Sequence, residues 1–507
     1  MEESKEVGKR IEKIKNWFRN PYNLTLVGIL ILAIIIRIYY FIFTKGQTLW
    51  WDEAEYMSAA KLWAFDVPYD LNPQRPPLFQ FLSALSFMIG LGEQFIKFTW
   101  VLLPSVFLVF VIYLLGKEMY NKRIGLIAAF LSAVSWTFIF WTARIQPDFL
   151  SMSFSVLGFL FMWKYWKNPK TKLIIWAGIF AALGLYFKVS ALLVPLSIGF
   201  FILIKDRLSA FKNKHYYLYA SSFILTLTPY FIWSYLIFND PLGFRTGYSN
   251  ALINPTPFAW YTLRFFYGLT ENILFILFIL GIVLALRFFF YFDILIKNKK
   301  KCFHPDIFGL VVLIIISAFY IFYIRGADDR WVFLWLPFIF FLIGNALLFI
   351  YNMIKKYSKV IAIAIVLALL LFGGYMQYTH ADSLIEHKKT SYLPVKLSGI
   401  WIKENSNPGD RVLSTSYTQH VYYTERHVTT YNPMQSKEEL TEFINKNHPR
   451  YMVFSIFEAH PSWTQEWINE NINILNPAKV YYLDLEETQA SLIIYEIQYE
   501  NQVSNMQ

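Results

Sequence analysis

Three carboxylates fall within four residues of the stretch Leu49-Trp50-Trp51-Asp52-Glu53-Ala54-Glu55-Tyr56. Val67-Pro68-Tyr69 and Gln74-Arg75-Pro76-Pro77-Leu78 follow soon after. Carboxylates suit proton abstraction or metal binding. An arginine fork suits phosphate, because it donates two parallel hydrogen bonds. The same two kinds of charge recur far along the chain. Arg144 and Asp148 lie in Trp141-Thr142-Ala143-Arg144-Ile145-Gln146-Pro147-Asp148, and Lys188 interrupts an apolar stretch. Arg325, Asp328, Asp329 and Arg330 precede an aromatic run. Such a set could move a proton beside a bound phosphate.

Each group also has a plainer reading. Asp52, with Glu55 three residues on, fits an N-cap and capping box that open a helix from Glu53 to Trp63. On that helix Asp52, Glu55 and Tyr56 share a side and Glu53 points elsewhere. Pro147-Asp148 fits an ordinary helix start. Lys188 fits a loop lysine at the interface, and the charges at 325–330 could pair with one another in water. Arg37, two-thirds along the first apolar run, fits a snorkelling anchor. Taken together, however, these residues concentrate carboxylates and guanidinium groups where a membrane chain has reason to avoid them.

The elements that must position them are apolar. Of 507 residues, 56% are hydrophobic and 20% aromatic, against roughly 45–50% apolar in soluble chains. Runs of the ~20 apolar residues needed to cross a bilayer recur, so the chain is a polytopic α-helical membrane protein. The spacing predicts about eleven spans, near 24–43, 95–116, 124–142, 149–166, 173–187, 189–204, 217–238, 272–292, 306–324, 331–352 and 359–376. Residues 1–23 are then a cytoplasmic N-terminal segment without a small-residue cleavage site. Residues 24–376 form the transmembrane domain, with an outer loop at 44–94. The lone Cys302 excludes an intrachain disulfide.

The net charge is +11, but Lys and Arg gather in short loops between spans. That distribution sets membrane topology and argues against a nucleic-acid partner. With the N-terminus inside, about 25 Lys and Arg lie inside and about 9 outside. The Asp52 loop, the 144–148 turn, the 239–271 loop, the 325–330 turn and the tail then face the extracytoplasmic side of the cell membrane. Acid plus phosphate clamp on that side, away from cytoplasmic nucleotides, suggests chemistry on a lipid-borne phosphate.

The tail, 377–507, changes character. Segments 411–416, 450–455, 479–484 and 491–496 alternate as strands, and Ser436-Lys437-Glu438-Glu439 and Ser462-Trp463-Thr464-Gln465 are capping-box patterns. One small soluble α/β domain is expected. It has no Gly-rich phosphate loop. His420 and His427 read as structural, since no metal-ligand spacing supports them.

The set Trp51-Asp52-Glu53, Tyr56, Pro68-Tyr69, Arg75-Pro76-Pro77-Leu78 and Pro147-Asp148 resembles the GT-C membrane glycosyltransferases. The likeness is to the branch of protein O-mannosyltransferases and the lipid A aminoarabinose transferase, over about residues 24–350. Arg330-Trp331 through Pro337 resembles that family's late Arg-aromatic motif. The resemblance implies a GT-C fold with amphipathic helices in the first outer loop. It implies a polyprenyl-phosphate-linked sugar, undecaprenyl or dolichyl, as donor, and a lipid, glycan or protein hydroxyl as acceptor, with inversion. By position Asp52 matches the catalytic acidic residue and Asp148 a second acidic residue, and Glu53 would join Asp148 in shaping the acceptor site or holding a divalent ion. Arg75 matches a basic residue that contacts the lipid phosphate, with Arg330, Lys188 and Arg264 as further phosphate candidates. Glu55, Tyr56 and Tyr69 would shape the substrate site. Gln74 stands where some relatives carry a metal-binding Glu, so the metal is left open. Two rivals stand beside this reading. One is a transporter or flippase for a lipid-linked glycan, which uses the same charges without making bonds. The other is a glycan polymerase, which shares the donor chemistry.

Overall fold

The computed structural model describes residues 15–245, 265–287, 303–324, 328–331, 333–482 and 488–499, together with Glu6 and Glu12. Arg264, Arg325 and the Lys297–Lys301 cluster lie outside the described residues. The chain forms two compact units. One comprises Met1–Phe43, Pro73–Pro77 and Lys97–Glu386, and the other Thr44–Asn72, Leu78–Ile96 and His387–Gln507. The loop at 44–94, read from the sequence as part of the transmembrane domain, thus groups almost entirely with the tail.

The first unit is helical. A helix stands at each of the eleven expected stretches. Seven described helices are long and apolar enough to cross a membrane, or eight when one bent pair counts as a single span. Thr171–Leu185 and Asn272–Leu286 are apolar but shorter. The last helix runs from Lys359 to Lys388 instead of ending near 376. Hydropathy falls after Tyr375, but no Gly or Pro follows to break the helix.

Arg37 is not a snorkelling anchor. It is 1% exposed and donates to Ser105 Oγ at 3.0 Å, Ala133 O at 3.0 Å and Ser132 O at 3.2 Å. Ser132 and Ala133 lie in the last turn of the Lys122–Val134 helix, whose final carbonyls have no intrahelical donor. The chain bends there by 49° into Trp136–Thr142. A buried guanidinium therefore satisfies the carbonyls and favours the negative end of the helix dipole. Gln377 steadies the far side of the break, its Oε1 accepting from Trp136 N at 3.2 Å. Asp306, also buried, is held in the same way by Tyr120 OH at 2.8 Å and Asn345 Nδ2 at 2.9 Å.

The second unit contains a five-stranded mixed sheet, in the order β2-β1-β3-β5-β4. The strands are β1 Arg411–Ser414, β2 His427–Thr429, β3 Tyr451–Ser455, β4 Leu475–Tyr482 and β5 Ala490–Ile497. β1 pairs in parallel with β2 and β3, and β5 is antiparallel to β3 and β4. Side chains alternate across the strands and feed two cores. Val412, Tyr451, Val453, Leu492 and Ile494 pack with Val395 and Ile402 of the Leu393–Glu404 helix and Val421 of the Tyr417–Thr424 helix. Leu413, Met452 and Tyr495 pack on the other face with Leu440 and Ile444 of the Lys437–Asn447 helix and Trp467 of the Thr464–Glu470 helix. Val67 from the loop at 44–94 joins the first core, and Tyr69 stacks on Tyr417 with ring centres 6.2 Å apart.

Ser436 caps its helix as expected, accepting from Glu439 N, while Glu439 accepts from Gln435 N at 2.8 Å. Ser462 does not cap its helix, for Trp463 occupies that position. His420 is fully buried between Ser398 Oγ at 2.9 Å and Ser414 Oγ at 2.6 Å. The Ser398 hydroxyl donates to Val395 O, so His420 Nε2–H donates to Ser398, and in the neutral ring Nδ1 accepts from the Ser414 hydroxyl. His427 is exposed on β2.

Burial pushes the His420 pKa down to about 3. An unfolded histidine, near 6.5, takes up the proton first as pH falls. The contribution of His420 is therefore complete above pH 6.5 and lost as pH falls toward about 3. At pH 5 the loss is about 2 kcal/mol. Thermal unfolding at pH 7.5 and pH 5 should show this drop, and the pH difference should shrink in His420→Gln. An unchanged pH difference in that variant would contradict the assignment.

Candidate active site

The Asp52 helix runs from Trp51 to Phe65, with Trp50 as the N-cap residue. This corrects the expectation that Asp52 caps it. The capping carboxylate is Glu53, whose Oε2 accepts from Trp50 N at 2.6 Å. Two carboxylates were spaced for the task, and Glu53 reaches back to the first exposed backbone N–H. Glu53 is 1% exposed, whereas Asp52, one position earlier in the first turn, is half-buried. Helical rotation sets Asp52, Tyr56 and Trp63 on one face. Glu55 is buried and accepts from Asn72 Nδ2 at 2.9 Å. Tyr56 packs edge-on against Phe79. Asp52, Glu53, Glu55, Tyr56 and Tyr69 all belong to the second unit.

Arg75 belongs to the first unit, in the short segment Pro73–Pro77. It is half-buried in a turn just before the Pro77–Met88 helix, beside the exposed Gln74. Proline at the first helical position ends that turn, because its missing N–H costs nothing there.

The first unit brings Asp148, Lys188 and Arg330 together. Asp148 is the first residue of the Asp148–Lys167 helix and makes no cap hydrogen bond. Its carboxylate, 3% exposed, instead pairs with the Lys188 ammonium. Lys188 sits where Thr171–Leu185 gives way to the turn Val189–Leu192. Two glycines let the supporting helices approach. A Cβ at Gly158 would stand 3.2 Å from Ala181 N, and one at Gly184 would stand 2.8 Å from Ser155 Oγ. Ser151 Oγ ties the pair further by donating to Gly184 O at 2.9 Å.

Lys188 also donates to Arg330 O at 3.4 Å. Arg330 pairs with Asp328, Nε to Oδ2 at 3.3 Å, as the self-pairing reading of this turn foresaw. Its guanidinium lies over the Trp141 ring, 5.1 Å from the centre. Trp141 Nε1 in turn donates to Asp329 Oδ2 at 2.8 Å. Burial and the neighbouring Asp328 raise the Asp329 carboxyl to about 7. Beneath this cluster Phe138, Phe149 and Phe333 form a triangle, with centres 5.3 to 5.7 Å apart. Phe138 and Phe149 come from the helices that carry Trp141 and Asp148, and Phe333 opens the turn Phe333–Trp335 shortly after Arg330. Asp328 and Asp329 stood out in the sequence as charges of this turn but with no assigned role, and Trp141 was not among the expected site residues. Only the position of Trp141, just before Arg144 and Asp148, hinted at its role.

The arrangement can hold an anion beside a carboxylate and offers an aromatic wall. Among the described residues, no three His, Cys, Asp or Glu side chains converge as a metal set. Asp148 faces an ammonium, which does not suit a metal ligand.

Residues 74–233 match the family model of dolichyl-phosphate-mannose-protein mannosyltransferases. That segment holds Arg75, Asp148 and Lys188. The structure is similar to the archaeal oligosaccharyltransferase AglB from Archaeoglobus fulgidus in complex with an inhibitory peptide and a dolichol-phosphate. The identity is 13%, over 87% of this chain and 70% of that one, at a TM-score of 0.61. It is similar to ArnT from Cupriavidus metallidurans bound to undecaprenyl phosphate, with 13% identity over 92% and 97% of the two chains and a TM-score of 0.63. It is also similar to the arabinofuranosyltransferase AftD from mycobacteria, with 13% identity over 94% and 40% and a TM-score of 0.52. No curated protein matches by sequence. All three structures are GT-C glycosyltransferases, and the fold of this chain is the GT-C fold.

The buried pair gives a stability test. Lys188→Met strands the Asp148 carboxylate and should cost about 3 kcal/mol. Lys188→Met combined with Asp148→Asn should cost clearly less, because no charge is left unpaired. Chemical unfolding in detergent measures both. A double variant no better than the single one would remove the pair as a constraint.

Proposed function

We propose that this chain is a polyprenyl-phosphate-dependent membrane glycosyltransferase that moves a sugar to an acceptor hydroxyl with inversion, on the extracytoplasmic side. The observation that carries the proposal is the convergence of Asp148, Lys188 and Arg330 in a chain of GT-C fold. AglB and ArnT, which share that fold, are seen with dolichol-phosphate and undecaprenyl phosphate, and a lipid phosphate of this kind is the donor carrier proposed here. Charge bias between the loops supports the orientation.

Asp52 takes the proton of the acceptor hydroxyl. The freed oxygen pair attacks the anomeric carbon, and the bond from that carbon to the phosphate oxygen breaks with its electrons on the phosphate. The leaving polyprenyl phosphate is already a stable anion, so it needs charge stabilisation more than protonation. Arg75 supplies this, with Lys188 and Arg330. Lys188 and Arg330 are partnered by Asp148 and Asp328 before donor binds, which limits the cost of holding cations there. Asp148 and Glu53 shape the site around the acceptor, with Glu53 doing so through the cap it makes.

Transfer from a defined polyprenyl-phosphate sugar in nanodiscs tests the proposal. Asp52→Asn should lower turnover about 10²–10⁴-fold with donor binding kept, because it removes only the base. Arg75→Ala should weaken both donor affinity and turnover, and Arg75→Lys should recover part of each. Full activity in Asp52→Asn would overturn the assignment. A transporter predicts no transfer by the wild type at all.

A further inference from the structure

The face of the Trp51–Phe65 helix that turns away from Asp52 is gripped by the C-terminal part of the second unit. Lys61 follows Asp52 by nine residues, which places it about 180° around the helix. Ala54, Met57 and Ser58, toward the same side, are fully buried. Their neighbour is the Tyr417–Thr424 helix. Thr418 Oγ1 donates to Trp51 O at 3.2 Å, and Ser58 Oγ donates to Thr418 O at 3.2 Å.

Lys61 is the strongest of these links. Its ammonium donates to Tyr422 O at 2.9 Å and pairs with Glu425 at 2.7 Å. It lies 4.0 Å from the centre of the Tyr422 ring. Tyr422 is in the last turn of its helix, and Glu425 is the residue that ends it, in the left-handed region at φ 53°. The ammonium thus meets orphan carbonyls, the negative end of a helix dipole and a carboxylate at once. Lys403, on a third helix, closes on the same Glu425 at 2.5 Å. Both flanks of the loop are tied to this region too. Lys396 donates to Gly46 O at 2.7 Å, Leu49 N donates to Tyr423 OH at 2.8 Å, and Tyr422 OH donates to Glu93 at 2.7 Å.

We infer that Lys61 and Glu425 are positioning residues, which fix the axial and rotational setting of the helix that presents Asp52. The sheet-bearing tail is then part of the catalytic apparatus although none of its residues reacts. A helix held at its first carbonyl by Thr418 and ten residues later by Glu425 can neither slide nor roll. The base it carries keeps its place from one turnover to the next. This inference rests on the proposed role of Asp52.

The test uses the full chain in nanodiscs. Lys61→Met and Glu425→Gln should lower kcat, by as much as about 10²-fold, as a small misplacement of a catalytic group does. Donor KM should stay unchanged. Lys61→Arg should recover part of the loss. Lys437→Met, which breaks an exposed pair with Glu466 and Glu470 in the same unit, should leave kcat alone. Hydrogen exchange of the Trp51–Phe65 amides should rise in Lys61→Met and fall back in Lys61→Arg. Unchanged kcat in Lys61→Met, or a loss that only tracks the folded fraction, would overturn the inference. A wild type that transfers no sugar overturns the donor reading instead, and the exchange experiment still decides whether the grip exists.

Discussion

A charge at the edge of a bilayer must be partnered, and the helical unit is shaped by that demand. Arg37 is buried on carbonyls that a broken helix exposes. Asp148 begins a helix opposite the lysine that interrupts the next apolar stretch. Arg330 is held between Asp328 and the Trp141 ring. In each case the cost of the charge is offset only where helices end or break, so the breaks and the charges arise together. The cluster around Asp148 follows from this. It collects where the Trp136–Thr142 segment, the Asp148–Lys167 helix and the turn before Phe333 all terminate, over one triangle of phenylalanines.

The second unit obeys a different constraint. A helix such as Trp51–Phe65 has too little apolar surface on one stripe to settle by itself, and its buried face includes a serine and a lysine. Those polar groups need partners, and the Tyr417–Thr424 helix provides them: Thr418 O accepts from Ser58 and Tyr422 O, in the last turn, accepts from Lys61. The sheet supports that second helix from below, through Val421 in its core. The acidic loop and the tail therefore form one folded body, although 360 residues separate Ser58 from Thr418.

Much of this was legible in the sequence, and what was hidden has physical reasons. Apolar length located a helix at each of the eleven expected stretches, because desolvating an unbroken run leaves few alternatives. Alternation located β1, β3, β4 and β5, but β2 has only three residues and no readable period. The capping assignment failed at Asp52 because Trp50/Glu53 and Asp52/Glu55 carry the same three-residue spacing, and only the built backbone shows which N–H is free for it. Asp148, Lys188 and Arg330 could be suspected singly as misplaced charges. Their convergence, and the entry of Trp141 and Asp329 beside them, depends on contacts spanning up to 189 positions. The grip on Lys61 was equally beyond local pattern, since nothing near Lys61 names Glu425.

The central claim is a direct displacement at the anomeric carbon, driven by the Asp52 carboxylate as base and by cations at the leaving phosphate. The configuration of the new glycosidic bond tests it most directly, read by NMR on product made from a donor of known anomeric configuration. Inversion is the expected result. Retention would require a second displacement through a covalent sugar–enzyme intermediate and would contradict direct displacement.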